Sequence, residues 1–294
     1  MELEFNREAL SKLSATNLKN DALELIKNVT MRQIIAFLLF PIFLMLLMYL
    51  PQNLRNSLVF HINSPEVWQF FTHAFIHNDW NHLSGNLGAY FVFGALLLVL
   101  ANKTNRLKRL FLLFVITLVS LPILSSAFTI LAYPVFIPDL KTSQGSSGLV
   151  SAMVGFLPIF WISYLSEKQK KDLMNWNFFG LAMLYVALML GIIYYPIHQS
   201  ILLILTTVSF LLVFAYFYRR YFGAIFKEIQ KEKNIIFSVL LILLPLLFMI
   251  SPRILFPAKF MTEGGFLDFI IHYFCLIYGI SISFIFFKFH ESKS

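Results

Sequence analysis

Eight apolar segments, separated by short polar stretches, are the feature that most constrains the fold of this sequence. They cover roughly residues 33–50, 83–101, 110–132, 147–165, 177–195, 199–218, 235–251 and 266–287. Most reach the ~20 residues that an α-helix needs to cross a bilayer. Hydrophobic residues make up 59% of the chain and charged residues only 13%, and a soluble core cannot bury that much apolar surface. The sequence therefore predicts an all-α polytopic membrane protein with about eight spans.

The distribution of Lys and Arg predicts how these segments are oriented. If the N-terminus is cytoplasmic, 19 of the 23 Lys and Arg residues fall on the cytoplasmic side. The four on the opposite side are Arg55, Lys141, Arg253 and Lys259. This split follows the positive-inside rule, so we expect an even number of spans with both termini in the cytoplasm. The net charge of +8 then reflects topology in the cell membrane, and no nucleic-acid partner is expected.

The remaining segments are assigned by position. Residues 1–32 are predicted to be a cytoplasmic N-terminal segment, either an interfacial helix or a solvated tail. Residues 33–288 form the transmembrane domain, which includes an aromatic-rich outer loop at 51–82. Residues 289–294 are a cytoplasmic tail.

Three clusters of polar residues interrupt the apolar segments, where polar groups are costly and are candidates for function. The first, SQGSSG, places Gly145, Ser147 and Gly148 where the fourth segment begins. Glycines allow tight turns and close helix packing. A serine at a helix start can equally be an N-cap.

The second cluster places His82 and Asn86 on one face at the start of the second segment. Both can donate hydrogen bonds, although a snorkelling histidine beside a packing asparagine is the alternative. The third lies in the last segment, where one face carries Asp268, His272, Cys275, Gly279 and Ser283. A histidine on this face could also be a structural hydrogen-bonding residue.

The predicted topology brings the three clusters together. The second, fourth and eighth segments all run from outside to inside, so His82, Ser147 and His272 lie near the outer ends of their helices. Ser147 and His272 could therefore meet as nucleophile and general base. His82 and Asn86 would be available as hydrogen-bond donors to an oxyanion.

These residues resemble the rhomboid family of intramembrane serine proteases. The similarity lies in WQFFTHAFIH followed by His82 and Asn86, in GSSGLVSA closing with GF, and in His272 with Gly279. It implies Ser147 as the nucleophile, His272 as its base, and His82, Asn86 and the Ser147 N–H as oxyanion donors. It requires no metal or other cofactor. Asp268, one turn before His272, is a candidate for orienting the imidazole.

The resemblance also implies a fold and a substrate class. The fold would be a six-helix rhomboid-like core with two additional transmembrane helices, the extra spans lying within 177–251. Three spans instead of one would separate the serine and histidine segments. Because both numbers are odd, the two segments still run in the same direction and His272 stays on the outer side. The substrates would be single-span membrane proteins, cleaved near the outer membrane surface.

The sequence departs from the family pattern in the outer loop and around the dyad. Gln69 replaces a common arginine, Ser151 replaces an aromatic residue that often stacks on the histidine, and Cys275 replaces a glycine of the histidine helix.

The sequence also allows functions other than proteolysis. A rhomboid-like pseudoprotease that binds membrane clients is the main alternative, and a transporter is the second. The zinc-protease pattern HExxH is absent. His73, His77 and His82 could bind zinc in principle, but loop packing is favoured for His73 and His77.

Overall fold

The structure is a computed structural model that describes residues 15–136, 141–194, 200–232, 234–255, 261–262, 265–266 and 269–291. The longer helices are α1 Ala15–Ile26, α2 Met31–Leu47, α5 Trp80–Lys103, α6 Leu107–Phe136, α7 Ser147–Gln169, α8 Trp176–Tyr194, α9 Ser200–Lys231, α10 Ile235–Leu255 and α11 Phe269–Glu291. The shorter elements are α3 Gln52–Leu58, β1 Phe60–His61, α4 Gln69–Thr72, a 3₁₀ turn His73–Phe75, β2 Thr142–Ser143, β3 Met261–Thr262 and β4 Gly265–Phe266. One helix overlaps each of the eight apolar segments, which confirms the all-α polytopic class.

The number of membrane spans is less sharply defined than the number of helices. Among the described residues, four helices are long and apolar enough to cross a membrane, within α5, α6, α7 and α11. The pair α1 and α2, bent by 83° at residues 27–30, adds a fifth if it is one span. The apolar parts Trp176–Leu188 of α8 and Ile235–Phe248 of α10 are shorter. Eight spans remain a prediction.

Helix α7 forms the centre of the bundle. Every residue from Leu149 to Leu165 is buried, as expected for a helix that is apolar all round. It packs against α5, α6, α9, α10 and α11. Trp161 donates its indole N–H to the Leu241 carbonyl of α10 at 3.2 Å, and the Tyr164 hydroxyl donates to Glu228 of α9 at 3.2 Å. The additional helices are thus attached to the same central helix that begins at Ser147.

The closest helix contact joins α7 to α11 through backbone atoms. A Cβ added at Gly279 would lie 2.2 Å from the Ala152 carbonyl oxygen, and one added at Gly155 would lie 2.5 Å from the Leu276 carbonyl oxygen. Only glycine fits at both positions, because any side chain would overlap the facing backbone. Cys275 does not prevent this approach, since its sulfur packs over Gly148.

The outer loop is anchored by hydrogen bonds to its own backbone and to the chain before α7. Strands β1 and β2 pair antiparallel, with Phe60 opposite Ser143. The buried Gln69 side chain accepts from the His61 and Glu66 N–H groups, at 3.2 Å each, and donates to the Ser57 carbonyl at 3.1 Å. An uncharged residue at position 69 therefore ties several parts of the loop together.

The N-terminal helix α1 docks on the opposite end of the bundle. The Asn102 amide of α5 donates to the Leu25 carbonyl at 2.8 Å. Asn234 donates to the Asp21 carbonyl at 2.8 Å, and the Asp21 carboxylate accepts from the Ile235 N–H at 2.9 Å. Helix α1 is therefore attached to the ends of α5 and α10, while its placement at a membrane interface stays a prediction.

The glycine contact predicts the effect of a single methyl group. Gly279→Ala should lower the free energy of unfolding by about 1–3 kcal/mol, because the Ala152 backbone must move away. The measurement is thermal or denaturant unfolding in detergent. Gly180→Ala in α8 is the matched control, since an added Cβ there meets nothing within 4 Å. Equal stability of Gly279→Ala and wild type would contradict the proposed tight crossing.

Candidate active site

The structure brings Ser147 and His272 into direct contact. Their Oγ and Nε2 atoms lie 2.7 Å apart, which is hydrogen-bond distance. Ser147 is the first residue of α7, and the capping position before it is Ser146, whose side chain makes no capping hydrogen bond. The N-cap alternative therefore does not describe Ser147. Its hydroxyl is available to the imidazole instead.

Gly145 shapes the turn that leads into α7. Its φ of +114° lies in a region that favours glycine. An added Cβ would lie 2.8 Å from His82 Cε1 and 3.8 Å from Asn86 Nδ2. The Gly145 N–H donates to the His73 carbonyl at 2.9 Å. Both conformation and space thus require glycine here, and the turn lies directly against His82 and Asn86.

His82 and Asn86 lie in the first two turns of α5. The Asp79 carboxylate caps this helix by accepting from the His82 N–H at 2.8 Å. The Asn86 amide donates to His77 Nε2 at 3.0 Å. An amide NH₂ group carries two hydrogens, so one hydrogen of Asn86 remains for a further acceptor. The predicted site residues His82, Asn86 and Ser147 are therefore grouped around a single turn.

His77 joins the two sides of this group, a function that the sequence reasoning missed. Its Nε2 accepts from the Ser146 N–H at 3.2 Å and lies 3.1 Å from the Ser146 hydroxyl. Burial and, to a smaller extent, the nearby His82 lower the pKa of His77 to about 4. The imidazole is thus neutral at pH 7 with Nε2 as the acceptor. The sequence indicated His77 only through its place in WQFFTHAFIH and its spacing from His73 and His82.

His73 attaches the outer loop to α6. Its Nδ1 lies 2.9 Å from the Gln69 carbonyl and 3.4 Å from the Ser126 hydroxyl. Burial lowers the pKa of His73 to about 4, although the Gln69 carbonyl opposes the shift. His73 is therefore a neutral structural residue, and its carbonyl holds Gly145.

A small cavity lies beside Ser147 and His272. Its volume is about 30 Å³, and Gly145, Ser125 and Cys275 are also part of its lining. This is enough space for a water molecule and far too little for a peptide segment. A peptide segment therefore cannot reach Ser147 without movement of the surrounding elements.

The remaining predicted residues lie on α7 or α11, or outside the described residues. Asp268 lies outside the described residues. Gly148 and Gly279 pack against α11 and α7, as expected for helix-packing residues. Ser151 is buried and donates to the Ser147 carbonyl at 2.8 Å. Within the described part of the chain, no group of three His, Cys, Asp or Glu residues is arranged to hold a metal ion.

A serine hydroxyl hydrogen-bonded to a histidine, within a bundle of apolar helices, defines a polytopic membrane protein with a candidate Ser–His site. The family model for the Rhomboid domain matches residues 64–211, half of the chain. The chain therefore belongs to the rhomboid family. The matched region includes His82, Asn86 and Ser147 and ends before His272, so the position of His272 is supported by geometry alone. No curated protein and no solved structure shows significant similarity to the chain.

The buried neutral state of His77 predicts a pH dependence of stability. As the pH falls below 6.5, the unfolded chain binds a proton before the folded one, whose His77 pKa is about 4. The free energy of unfolding that the neutral His77 contributes is fully present above pH 6.5. It is lost as the pH falls toward 4, by at most about 3 kcal/mol. His77→Gln should flatten this part of the profile, measured by unfolding in detergent.

His73→Gln is expected to give a second, independent reduction of the same slope, because burial also lowers its pKa to about 4. If both variants keep the wild-type slope between pH 4 and 6.5, neither histidine is neutral for the reason given.

Proposed function

We propose that this protein is an intramembrane serine endopeptidase that uses Ser147 and His272 as a catalytic dyad. The observation that carries the proposal is the 2.7 Å distance between Ser147 Oγ and His272 Nε2. The rhomboid family consists mostly of serine proteases and includes inactive members. Inactive members usually lack the serine or the histidine, and this chain has both at hydrogen-bond distance.

The dyad supplies a nucleophile and a general base. Ser147 attacks the substrate carbonyl carbon while His272 Nε2 accepts its hydroxyl proton. For this, Nε2 must be the unprotonated nitrogen of a neutral imidazole. The imidazolium then donates the proton to the leaving amine as the tetrahedral intermediate collapses. Water attacks the acyl-enzyme with His272 again as base, which releases the second product.

The oxyanion of the tetrahedral intermediate requires donors on the other side of the substrate. The second amide hydrogen of Asn86, the His82 imidazole and the Ser147 backbone N–H are assigned to this position. His77 fixes the first hydrogen of Asn86, so the amide is oriented before the substrate binds. Fixed donors stabilise charge without reorganisation during the reaction.

The substrates are proposed to be single-span membrane proteins cut near the outer membrane surface. The protein would be a multi-pass protein of the cell membrane with both termini in the cytoplasm, as the distribution of Lys and Arg predicts. A substrate helix must unwind before cleavage, since the scissile backbone has to enter the site in extended form.

The main alternative is a pseudoprotease that uses the same cavity to bind membrane clients without cleaving them. It predicts that the Ser147 hydroxyl is not nucleophilic despite its contact with His272. A transporter is the second alternative, and it predicts ionisable groups near the middle of several spans. The polar residues of the candidate site instead lie at the beginnings of α5 and α7.

The dyad predicts two losses of reactivity. Ser147→Ala and His272→Ala should each abolish labelling by a fluorophosphonate probe and cleavage of a model single-span substrate in detergent. The measurement is gel fluorescence together with product formation. Ser151→Ala is the matched control, since Ser151 lies one turn along the same helix and bonds the Ser147 carbonyl. Equal labelling of all variants and wild type would favour a binding protein.

The oxyanion assignment predicts a different kinetic signature. Asn86→Ala should lower kcat by about 10²–10³-fold with little change in KM, because the donor acts mainly in the transition state. Ser84→Ala, on an exposed position of the same helix, is expected to keep the wild-type kcat. A loss confined to KM would show that Asn86 contacts the bound substrate and not the oxyanion.

A further inference from the structure

A second cavity lies on the outer face of the bundle, between the outer loop and β2. Its volume is about 290 Å³, several times larger than the cavity at Ser147. Its lining includes Arg55 of α3, Asn56, His61, Asn78, Thr142 and Gln144. The lining contains no Asp or Glu among the described residues. This is a polar cavity with one permanent cation and no compensating anion.

Arg55 is bonded only to neutral groups. Its Nη1 donates to the His77 carbonyl at 3.4 Å and lies 3.8 Å from Met48 Sδ, and its Nη2 donates to the Gln52 side chain. Its Nε–H is buried and has no acceptor in the described part of the chain. A guanidinium has five N–H donors in a planar fork that matches a carboxylate. The chemistry of this lining therefore suits an anion with two acceptor oxygens.

Four of the other polar residues of the lining contact one another in pairs. The Gln144 amide donates to the Asn78 side chain, and His61 Nε2 lies 3.3 Å from the Asn56 carbonyl. Arg55 carries the one permanent charge among the lining residues, so it is the group best suited to hold a charged ligand. Lys141 is exposed next to β2 but does not line the cavity.

The cavity is continuous in sequence with the candidate active site. Thr142 and Gln144 precede Gly145 and Ser147, and His77 lines the cavity while contacting Ser146 and Asn86. A substrate extended along residues 142–145 toward Ser147 would present alternate side chains to its two sides, at ~3.3 Å per residue. A side chain near the cleaved bond can therefore reach Arg55.

We propose that this cavity is a specificity site that selects an aspartate or glutamate side chain of the substrate through Arg55. The inference rests on the proposed protease function and adds a substrate class to it. A charge-assisted hydrogen bond between guanidinium and carboxylate is stronger than one between neutral groups. The acidic residue lies in the extended, water-exposed part of the substrate, close to the scissile bond.

The test compares substrates that differ by one charge. At each position around the cleaved bond, an Asp substrate is compared with its isosteric Asn counterpart by kcat/KM. Wild type should prefer Asp about tenfold at one position. Arg55→Met should reduce the ratio to about one, and the ratio is the readout because a loss of activity common to both substrates cancels in it. Lys141→Met, a control for long-range charge effects, should keep the wild-type ratio.

A charge reversal protects the test against misfolded variants. Arg55→Glu should prefer Lys over Asp at the same position, a gain that a damaged protein cannot produce. The inference is wrong if Arg55→Met keeps the wild-type ratio at every position. It is also wrong if Lys141→Met and Arg55→Met reduce the ratio equally, since that indicates a general effect of surface charge.

A binding measurement separates this inference from the protease proposal. Fluorescently labelled Asp and Asn substrates are titrated onto Ser147→Ala in neutral-lipid nanodiscs, and the Asp form should bind about tenfold more tightly. Adding Arg55→Met should remove the difference. Absence of cleavage by wild type would reject the protease alone, whereas equal binding of both substrates would reject the acidic specificity site. Arg55-dependent binding of anionic lipid with no Asp preference would assign the cavity to a headgroup and overturn the proposal.

Discussion

The candidate site depends on the backbone contact between α7 and α11. Gly155 and Gly279 have no side chains to separate the two helices, so Ala152 and Leu276 carbonyls approach the facing backbone directly. Ser147 lies eight residues before Gly155, and His272 lies seven before Gly279. Each spacing is about two helical turns, or about 11 Å along the axis. Two parallel helices in contact at the glycines therefore place the hydroxyl and the imidazole at the same height.

This requirement for parallel helices also limits how the chain can connect them. Three helices, α8 to α10, lie between α7 and α11 in the sequence. If α8 to α10 each cross the membrane, as the sequence predicts, their odd number returns α11 to the direction of α7. The contacts of Trp161 with α10 and of Tyr164 with α9 attach the added helices to α7. The added helices therefore enlarge the bundle, but they take no part in the contact between Ser147 and His272.

The residues that were predictable from sequence are those on regular helices. Ser147, His272, His82 and Asn86 could be grouped because helical spacing and charge distribution give their face and their end of the bundle. Asp268 lies outside the described residues and remains a prediction.

His77 and Arg55 could not be assigned in the same way. Both lie in the outer loop or its short helix, where the conformation is set by tertiary contacts such as Gln69 with the Ser57 carbonyl. A histidine that bridges Ser146 and Asn86 has no periodic pattern to reveal it. In the sequence, Arg55 is only one of the four Lys and Arg residues that are predicted to lie on the outer side.

The small cavity at Ser147 limits which parts of the protein can move to admit the proposed substrate. Separation of α7 from α11 would break the contact of Ser147 with His272. Displacement of the loop around His77 would release both Asn86, the proposed oxyanion donor, and the Ser146 N–H. Access that preserves the chemistry must therefore come from elements outside these two contacts. Helices α2 and α8 to α10 satisfy this condition among the described elements, because none of them contributes an atom to either contact, whereas Arg55 of α3 donates to the His77 carbonyl.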